Sequence, residues 1–395
     1  MNQCFDPGRR NALGIGLGTT IAAAMTAPPA ATAATAATAA TAASPGAGTA
    51  RRRPRHIRAW EVGERRPELT LRLVRRPCPE PGAGEVLLRV LATGINSIDV
   101  ATLTGEAFRV GGPTMIPLPD NCCEVIALGP GVTGLQPGDR VTTTLYIEWI
   151  TGRWDIAYMR SMPGLGTDGF LTEYAVMPAS TLVKVPARFT DEQACTLAIA
   201  GLTAWRALAI EARVKPGETV VTTGTGGVSA FAVQIARLFG ARVIVTSSSD
   251  AKLARMRSLG AQSGINYRST PDWAQAVLDL TDGRGAEVVL NNVGWPEMVN
   301  SLRACRSSAR LIHVGASREA TRMKSWPNMI QKNIWIKSFT MAGRDMLEDF
   351  LRSMEHADLV PVVDRVFPFE QAIEAVRFMQ AGSHVGKVVI RVAPQ

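Results

Sequence analysis

The glycine-rich turn at residues 224–229 constrains the fold of this chain more than any other feature. A β-branched strand precedes the turn, and a helix with one apolar face is predicted after it, over 228–239. Gly224 permits a tight turn, Gly226 lets the backbone approach a pyrophosphate, and Ser229 is small enough for helix and strand to pack closely. The N-terminus of such a helix offers N–H groups and a positive dipole end to phosphates. The turn therefore predicts a dinucleotide-binding β-α-β unit.

The sequence around this turn alternates between strand-like and helix-like segments. Helices predicted at 228–239 and 272–281 fall between strands predicted at Thr219–Thr223, 242–246, 264–266, 287–291, 310–314 and 335–340. Six strands in alternation with helices imply an α/β protein with a parallel, doubly wound sheet of the Rossmann type. Residues 56–185 contain short strands broken by glycine and proline, and this region is predicted to be β-rich.

The end of the second strand bears on the choice between the two nicotinamide cofactors. An acid at this point would bind the ribose 2′-hydroxyl and repel a 2′-phosphate. Instead, Ser247, Ser248 and Ser249 occupy the stretch, and Lys252 and Arg255 follow. Hydroxyls and cations suit a phosphate, so the sequence predicts NADPH rather than NADH. The alternative is that the serines merely cap the next helix, and both roles can coexist.

Further motifs occur at 94–99, 132–141, 200–205, 265–267 and 386–390. With the glycine turn, this order of motifs resembles the medium-chain dehydrogenase/reductase superfamily, and most of all its zinc-independent alcohol dehydrogenase-like and quinone oxidoreductase branch. The resemblance implies a GroES-like β-rich catalytic domain in two segments, 56–185 and 343–395, which flank a Rossmann domain at 186–342. It also implies an active site in the cleft between the two domains.

The resemblance also implies which residues meet the cofactor and the substrate. Cofactor contacts are expected from Gly224, Thr225, Gly226, Gly227, Val228, Ser247, Ser248, Lys252, Tyr267, Asn292, Val293, Val314, Gly315 and Lys387. Asn96 is expected to orient the substrate as a hydrogen-bond donor, and Tyr146 to donate a proton. A partly buried aromatic side chain in a loop is an equally good interpretation of Tyr146. For His313, packing at the end of a strand is preferred to a role as a proton relay.

The sequence predicts no zinc and no other metal site. Zinc-dependent relatives carry a Cys near the position of Asn96 and a His-Glu pair at the positions of Asp120 and Asn121, and this chain has neither. The four histidines, at 56, 313, 356 and 384, have no ligand spacing. Cys122 and Cys123, near the expected cleft, are the only candidate metal ligands that the sequence leaves. Relatives usually have small residues there, so the larger side chains of this chain are expected to narrow the pocket, redirect substrate choice or impair catalysis.

Residues 1–50 are predicted to lie outside the fold. Arg9 and Arg10 precede a mildly apolar run and then small residues with A-x-A cleavage candidates. This order is typical of a twin-arginine signal peptide, while a disordered Ala/Thr-rich tail is the alternative. Export to the periplasm and a cytoplasmic location therefore stay open. The apolar run is too short to span a bilayer, so no membrane insertion is expected.

The distribution of charge argues against a nucleic-acid partner. The formal net charge is +9, but seven arginines and a single acid fall within residues 1–58. The remaining sequence mixes both signs and shows no basic stripe. Six cysteines without a CxxC pair indicate reduced thiols. Relatives commonly pair through the edge of the nucleotide sheet, near 335–340, so a homodimer is expected.

These features predict an NADPH-dependent oxidoreductase that acts on a small molecule without zinc. The expected reaction is hydride transfer to an activated C=C bond, as in an enone or a quinone, or to a carbonyl. One alternative is a zinc-free alcohol dehydrogenase that runs in either direction. Another is a catalytically weak NADPH-binding sensor or partner protein, which the unusual residues at 121–123 favour.

Overall fold

The computed structural model describes residues 53–63, 69, 71–105, 114–315 and 329–393. The predicted signal or tail at 1–50 lies outside the described residues. The features below all belong to the compact unit Thr49–Gln395.

The elements follow in chain order. The strands are β1 (His56–Val62), β2 (Leu71–Pro77), β3 (Glu85–Ile95), β4 (Cys122–Leu128), β5 (Arg140–Thr143), β6 (Tyr174–Pro178), β7 (Leu182–Lys184), β8 (Thr219–Thr223), β9 (Arg242–Ser247), β10 (Ser263–Asn266), β11 (Ala286–Asn291), β12 (Cys305–His313), β13 (Trp335–Ser338), β14 (Val363–Pro368) and β15 (Lys387–Arg391). The helices are α1 (Ser97–Leu103), α2 (Asp191–Glu211), α3 (Gly227–Leu238), α4 (Asp250–Ser258), α5 (Trp273–Asp279), α6 (Met298–Ala304), α7 (Arg344–Met354) and α8 (Ala372–Gln380). Short 3₁₀ turns occur at Ile156–Ser161, Ala179–Thr181, Trp295–Glu297 and Phe369–Gln371.

Six described strands form a parallel sheet in the order β10-β9-β8-β11-β12-β13. This is the doubly wound order that the alternation predicts, and it places a crevice where the strand order reverses, between β8 and β11. The predicted strand at 310–314 is wrong at its start, since β12 begins at Cys305. Its first half is more exposed and contains Ser308 at φ +60°, so its sequence resembles a turn.

A second, mixed sheet has the order β14-β15-β3-β4-β5-β7, and β6 also pairs with β3. The strand β15 is antiparallel to β3, with Val388 opposite Ile95, and parallel to β14. The end of the chain therefore completes a sheet that residues 85–184 begin. This pairing places Lys387 directly beside the end of β3. The predicted α/β fold with a second, β-rich part is confirmed.

The helix α2 forms much of the core between the two sheets. It begins after Thr190, whose side chain accepts from the N–H of Gln193. The Gln193 side chain accepts in return from the N–H of Thr190, which completes a capping box. It is the one helix of the described residues that is long and apolar enough to cross a membrane. Yet 72% of its apolar window is buried inside the protein, which is typical of a core helix.

Candidate active site

A cleft of about 590 Å³ opens at the carboxyl ends of the parallel strands. All fourteen residues with an expected cofactor contact line it, and so does Asn96. The opposite wall comes from α1, α2 and the segment between α8 and β15. The volume suits a small-molecule ligand site, and the position is the crevice where open α/β sheets bind ligands.

A larger cavity, of about 730 Å³, lies between the β1–β2 hairpin and the loop around residue 160. Its described lining contains none of the residues that the sequence singles out.

The glycine turn needs its glycines for two different reasons. Gly224 has φ +82°, in the left-handed region that favours glycine. Gly227 needs space instead, because a Cβ there would lie 2.5 Å from Cδ of Lys387. Ser229 replaces the usual third glycine, and its hydroxyl donates to the carbonyl of Thr223 at 3.1 Å. The turn is thus packed against both the strand before it and the far end of the chain.

Asn292 ties the end of β11 to this turn. Its Nδ2 donates to the hydroxyls of Thr222 (3.0 Å) and Ser229 (2.9 Å), and its backbone N–H donates to Thr223 Oγ1 at 2.9 Å. The neighbouring Val293 and Val314 line the same part of the cleft. This gives the site one rigid, partly apolar wall.

The end of β9 presents hydroxyls and cations to the cleft. Ser247 is buried, and its hydroxyl has no hydrogen-bond partner. The Lys252 ammonium donates to the carbonyl of Gly382 at 2.9 Å. Burial, and then the positive charge of Arg268, lowers the pKa of Lys252. Arg268 is a cation that sequence reasoning missed, although it directly follows the 265–267 motif.

Two other residues of this stretch act differently from expectation. Arg255, expected to suit a phosphate, pairs with Asp364 and does not line the cleft. Ser249 is the N-cap residue of α4 but makes no capping hydrogen bond. A purely capping role for the serines therefore has little support.

A buried polar network closes the floor of the cleft. The Lys387 ammonium lies 2.8 Å from Asp120 Oδ2, and the two side chains are 3% and 0% exposed. Lys387 also donates to the carbonyl of Ile95 (2.7 Å) and to Asn96 Oδ1 (2.6 Å). Asn96 Nδ2 in turn donates to Asp120 (3.1 Å) and, at a longer 3.3 Å, to Asp99. The amide of Asn96 is therefore held at both ends by the protein.

Asp99 is the titratable group of this network with a strongly perturbed pKa. Its Oδ2 accepts from the backbone N–H of Asn96 at 2.7 Å, while Oδ1 has no partner. Burial raises the pKa of Asp99 to about 7, and the nearby negative charge of Asp120 adds to the effect. The hydrogen bonds from Asn96 and the charge of Lys387 oppose it. A carboxyl that titrates near neutrality beside a cleft is a feature of functional sites.

This donor set does not fit a zinc ion. The oxygens of Asp120 and Asn96 that would face a metal already bind the ammonium of Lys387. Across the part of the chain that the structure describes, no group of three His, Cys, Asp or Glu side chains is placed to hold a metal. The absence of zinc itself stays a prediction.

Cys122 and Cys123 are fully buried, in two different hydrophobic cores. Burial raises the pKa of Cys122 to about 12 and that of Cys123 well above its usual value. Neither thiol lines the cleft, and Asn121 does not line it either. The narrowing expected from these larger side chains is therefore not seen in the described lining.

Tyr146 lies behind the cleft wall rather than in it. It is 3% exposed, and its hydroxyl hydrogen-bonds the Thr340 hydroxyl at 2.6 Å. Its ring packs against Trp154, with centroids 4.5 Å apart, in a cluster that also contains Trp149. Burial raises the pKa of Tyr146. The proton-donor role stays a prediction, and it requires the loop to present this hydroxyl to the cleft.

Two histidines lie near the cleft. The ring of His313 is 5.3 Å from that of Trp295, its Nδ1 has no hydrogen-bond partner, and burial lowers its pKa. This contact matches the packing interpretation. His384 lines the cleft itself, and sequence reasoning missed it. The available signal was its position two residues before the Gly386-Lys387 motif.

Comparison with known proteins places this geometry in context. The zinc-binding dehydrogenase family matches residues 227–356, and the alcohol dehydrogenase GroES-like domain matches residues 82–187. A zinc-type alcohol dehydrogenase-like protein of Schizosaccharomyces pombe is 34% identical over 319 residues, covering 78% of this chain and 91% of that protein. Acryloyl-coenzyme A reductase of Metallosphaera sedula is 28% identical, covering 79% and 93%.

Solved structures show the same fold. The crystal structure of an NAD-dependent alcohol dehydrogenase has a TM-score of 0.78 and 33% identity, covering 85% of this chain and all of that one. The chain also matches larger polyketide synthases of mycobacteria, and it spans 14% of their length.

Proposed function

Because the chain belongs to the medium-chain dehydrogenase/reductase superfamily, we propose that it is an NADPH-dependent reductase of an activated C=C bond, as in an enone or a quinone, or of a carbonyl. The class is shown by the relatives: an NAD(P)H-dependent oxidoreductase that acts on a small molecule. The preference for NADPH, the reducible group and zinc-free chemistry form the proposal. So do the domain bounds 56–185, 186–342 and 343–395.

The charge of the cleft carries this proposal. Among its described lining residues there is no Asp or Glu, whereas Lys252, His384 and Lys387 all contribute. Ser247 lies about where an acid would select NADH, Lys252 follows it in the lining, and Arg268 adds a second positive charge nearby. Such a corner favours the 2′-phosphate of NADPH. The relative named as NAD-dependent makes NADH the competing cofactor.

The residues present fit a dinucleotide. The hydroxyl of Ser247 has no partner, and only His384 Nε2 is recorded near the Cβ position of Gly226, at 3.8 Å. These features leave a polar atom and room for a ribose and a pyrophosphate. A bound dihydronicotinamide supplies the hydride. The protein fixes Asn96 through Lys387 and Asp120 and presents it at the cleft. A substrate oxygen accepts a hydrogen bond from Asn96 Nδ2 by replacing the longer contact to Asp99.

The substrate half of the cleft is apolar. Ile98, Val100, Ala101 and Ile199 line it on the side of α1 and α2, and Ile98 and Ile199 pack on the aromatic cluster of Tyr146. Apolar walls exclude water and suit an uncharged enone, quinone or aldehyde. A relative that reduces acryloyl-coenzyme A supports reduction of an activated C=C bond.

Cofactor preference is tested by comparing kcat/KM with NADPH and NADH. NADPH is expected to be the better cofactor, and at least tenfold higher kcat/KM with NADH would overturn the preference. Lys252→Ala should weaken NADPH binding by about tenfold and leave NADH binding unchanged, because only NADPH carries the phosphate that Lys252 meets. Lys184→Ala is the control, since Lys184 pairs with Asp139 on the surface.

Substrate class is tested by incubating the protein with NADPH and a panel of quinones, enones and aldehydes. Oxidation of NADPH by an enone or a quinone supports the proposal. The alcohol dehydrogenase-like relative favours a second candidate, a zinc-free alcohol dehydrogenase. Reduction of aldehydes alone, together with NADP⁺-dependent oxidation of the corresponding alcohols, would select that candidate. Binding of NADPH without turnover of any compound would favour the third alternative, a catalytically weak NADPH-binding sensor.

A further inference from the structure

His384 lies on the segment that crosses over the glycine turn. The N–H of Gly386 donates to the carbonyl of Thr225 at 2.9 Å, and Gly386 forms an isolated parallel bridge with Gly226. This backbone pairing holds the imidazole against the turn. Its Nε2 lies 3.8 Å from the position that a Cβ on Gly226 would occupy. Outside the turn and its helix, no other atom of the described residues lies within 4 Å of that position, which is at the N-terminus of α3.

The imidazole is buried, and one of its two nitrogens has no partner. His384 is 8% exposed, and its Nδ1 has no hydrogen-bond partner. Its backbone carbonyl accepts from the hydroxyl of Thr225, a contact that leaves the ring free. A buried nitrogen without a partner carries a desolvation cost, and such an atom in a native protein calls for an explanation such as a functional role.

The charges facing His384 come from three elements. Asp364 on β14 favours the protonated ring, whereas Lys387 on β15 and Lys252 on α4 disfavour it. Arg255 pairs with Asp364 and partly neutralises its negative charge. Burial is the largest influence, so the pKa of His384 lies below its usual 6.5. The Lys387 ammonium is already paired with Asp120, so the imidazole beside Gly226 is the group that this position offers to an anion.

We propose that His384 binds the pyrophosphate of the nicotinamide cofactor through Nε2 and takes up a proton when the cofactor binds. The proposal rests on the proposed function, because it assigns a ligand to the same cleft. The position against Gly226 selects the pyrophosphate, since that glycine lets the backbone approach this group. The negative charge of the bound pyrophosphate stabilises the imidazolium. Cofactor affinity therefore rises as pH falls.

NADH is the better probe, because it carries the pyrophosphate but not the 2′-phosphate, which itself titrates near pH 6. Titration of the wild-type protein with NADH, followed by nicotinamide fluorescence, should give a Kd about tenfold lower at pH 6 than at pH 8. His384→Gln should bind NADH about 10- to 100-fold more weakly at pH 6, the loss expected for a charged hydrogen bond. It should also lose the pH dependence. The exposed His356→Gln should behave like the wild type.

A measurement on the unaltered protein guards against misfolding of the variant. Calorimetric titration with NADH in two buffers of different ionisation enthalpy, at pH 7, should show proton uptake. Tight NADH binding without proton uptake overturns the proposal, as does wild-type pH dependence in a folded His384→Gln protein. Failure of the proposed function appears differently: the wild type then binds neither NADH nor NADPH at any pH.

Discussion

Replacing Lys387 with methionine would remove the positive charge from an ion pair that is almost completely buried. Asp120 would keep its negative charge at 0% exposure, and Asn96 and the carbonyl of Ile95 would lose a donor. Removing one partner of a buried pair typically costs about 3–5 kcal/mol, because the other charge is left uncompensated. Since domains have only about 5–15 kcal/mol of stability, Lys387→Met should remove a large fraction of it.

The assay is urea-induced unfolding, followed by tryptophan fluorescence and far-UV circular dichroism so that coincident transitions confirm a single step. The matched control is Lys184→Met. Lys184 is 55% exposed and pairs with Asp139 at 2.9 Å, so this change should cost less than about 1 kcal/mol. The double variant Asp120→Asn, Lys387→Met should be more stable than Lys387→Met alone, because it buries no unpaired charge.

Two results would refute this reasoning. One is a loss of unfolding free energy for Lys387→Met that is no larger than the loss for Lys184→Met. This result would mean that leaving Asp120 buried without its partner does not destabilise the fold. The other is a double variant whose loss equals the sum of the two single losses, since contacting residues should couple by more than about 0.5 kcal/mol.

The remaining predictions concern pH, catalysis and assembly. Asp99→Asn should gain stability over the wild type between pH 5 and pH 8 in urea unfolding. Protonated Asp99 contributes stability that is fully present below pH 3.8 and is lost as pH rises through the folded pKa of about 7. The free energy of unfolding lost in this way is up to roughly 4 kcal/mol. A difference between the two proteins that does not change with pH would contradict this. Tyr146→Phe should lower kcat by about 10²-fold at unchanged KM if the hydroxyl donates the proton, and an unchanged kcat would assign it to packing against Thr340. Trp335→Lys should convert the proposed homodimer into monomers in light scattering, because Trp335 is 46% exposed on the edge strand β13, whereas the equally exposed Trp295→Lys should stay dimeric.

The nucleotide half of the fold was predictable because its signals are local. Each strand of the parallel sheet is a short apolar run, and the glycine turn sets the order of strand, turn and helix within about ten residues. The one poorly placed boundary, at the start of β12, is the place where exposed residues and a positive φ interrupt the apolar pattern. The spacing of apolar residues therefore predicts a strand or helix well where burial alone determines the pattern.

The polar network and His384 were not predictable, because they depend on contacts between distant segments. Lys387 meets Asn96 across 291 residues of sequence, and no local pattern encodes that pairing. Asp120 entered the sequence reasoning only as a missing zinc ligand, although it is the partner of a buried ammonium. The burial of Tyr146 depends in the same way on how a loop packs its own aromatic side chains.

The pairing of β15 with β3 also determines when the site can form during synthesis. All six described strands of the parallel sheet have been made once residue 338 is complete, whereas one side of β3 lacks its neighbour until β15 emerges. A chain terminated before Gly386 would therefore keep its glycine turn but lack the bridge over it and the ammonium beneath it. It would also leave the edge of β3 open to another chain, a known route to aggregation. Such a truncated chain is therefore expected to lose the proposed dinucleotide site, because Gly386 and Lys387 complete it.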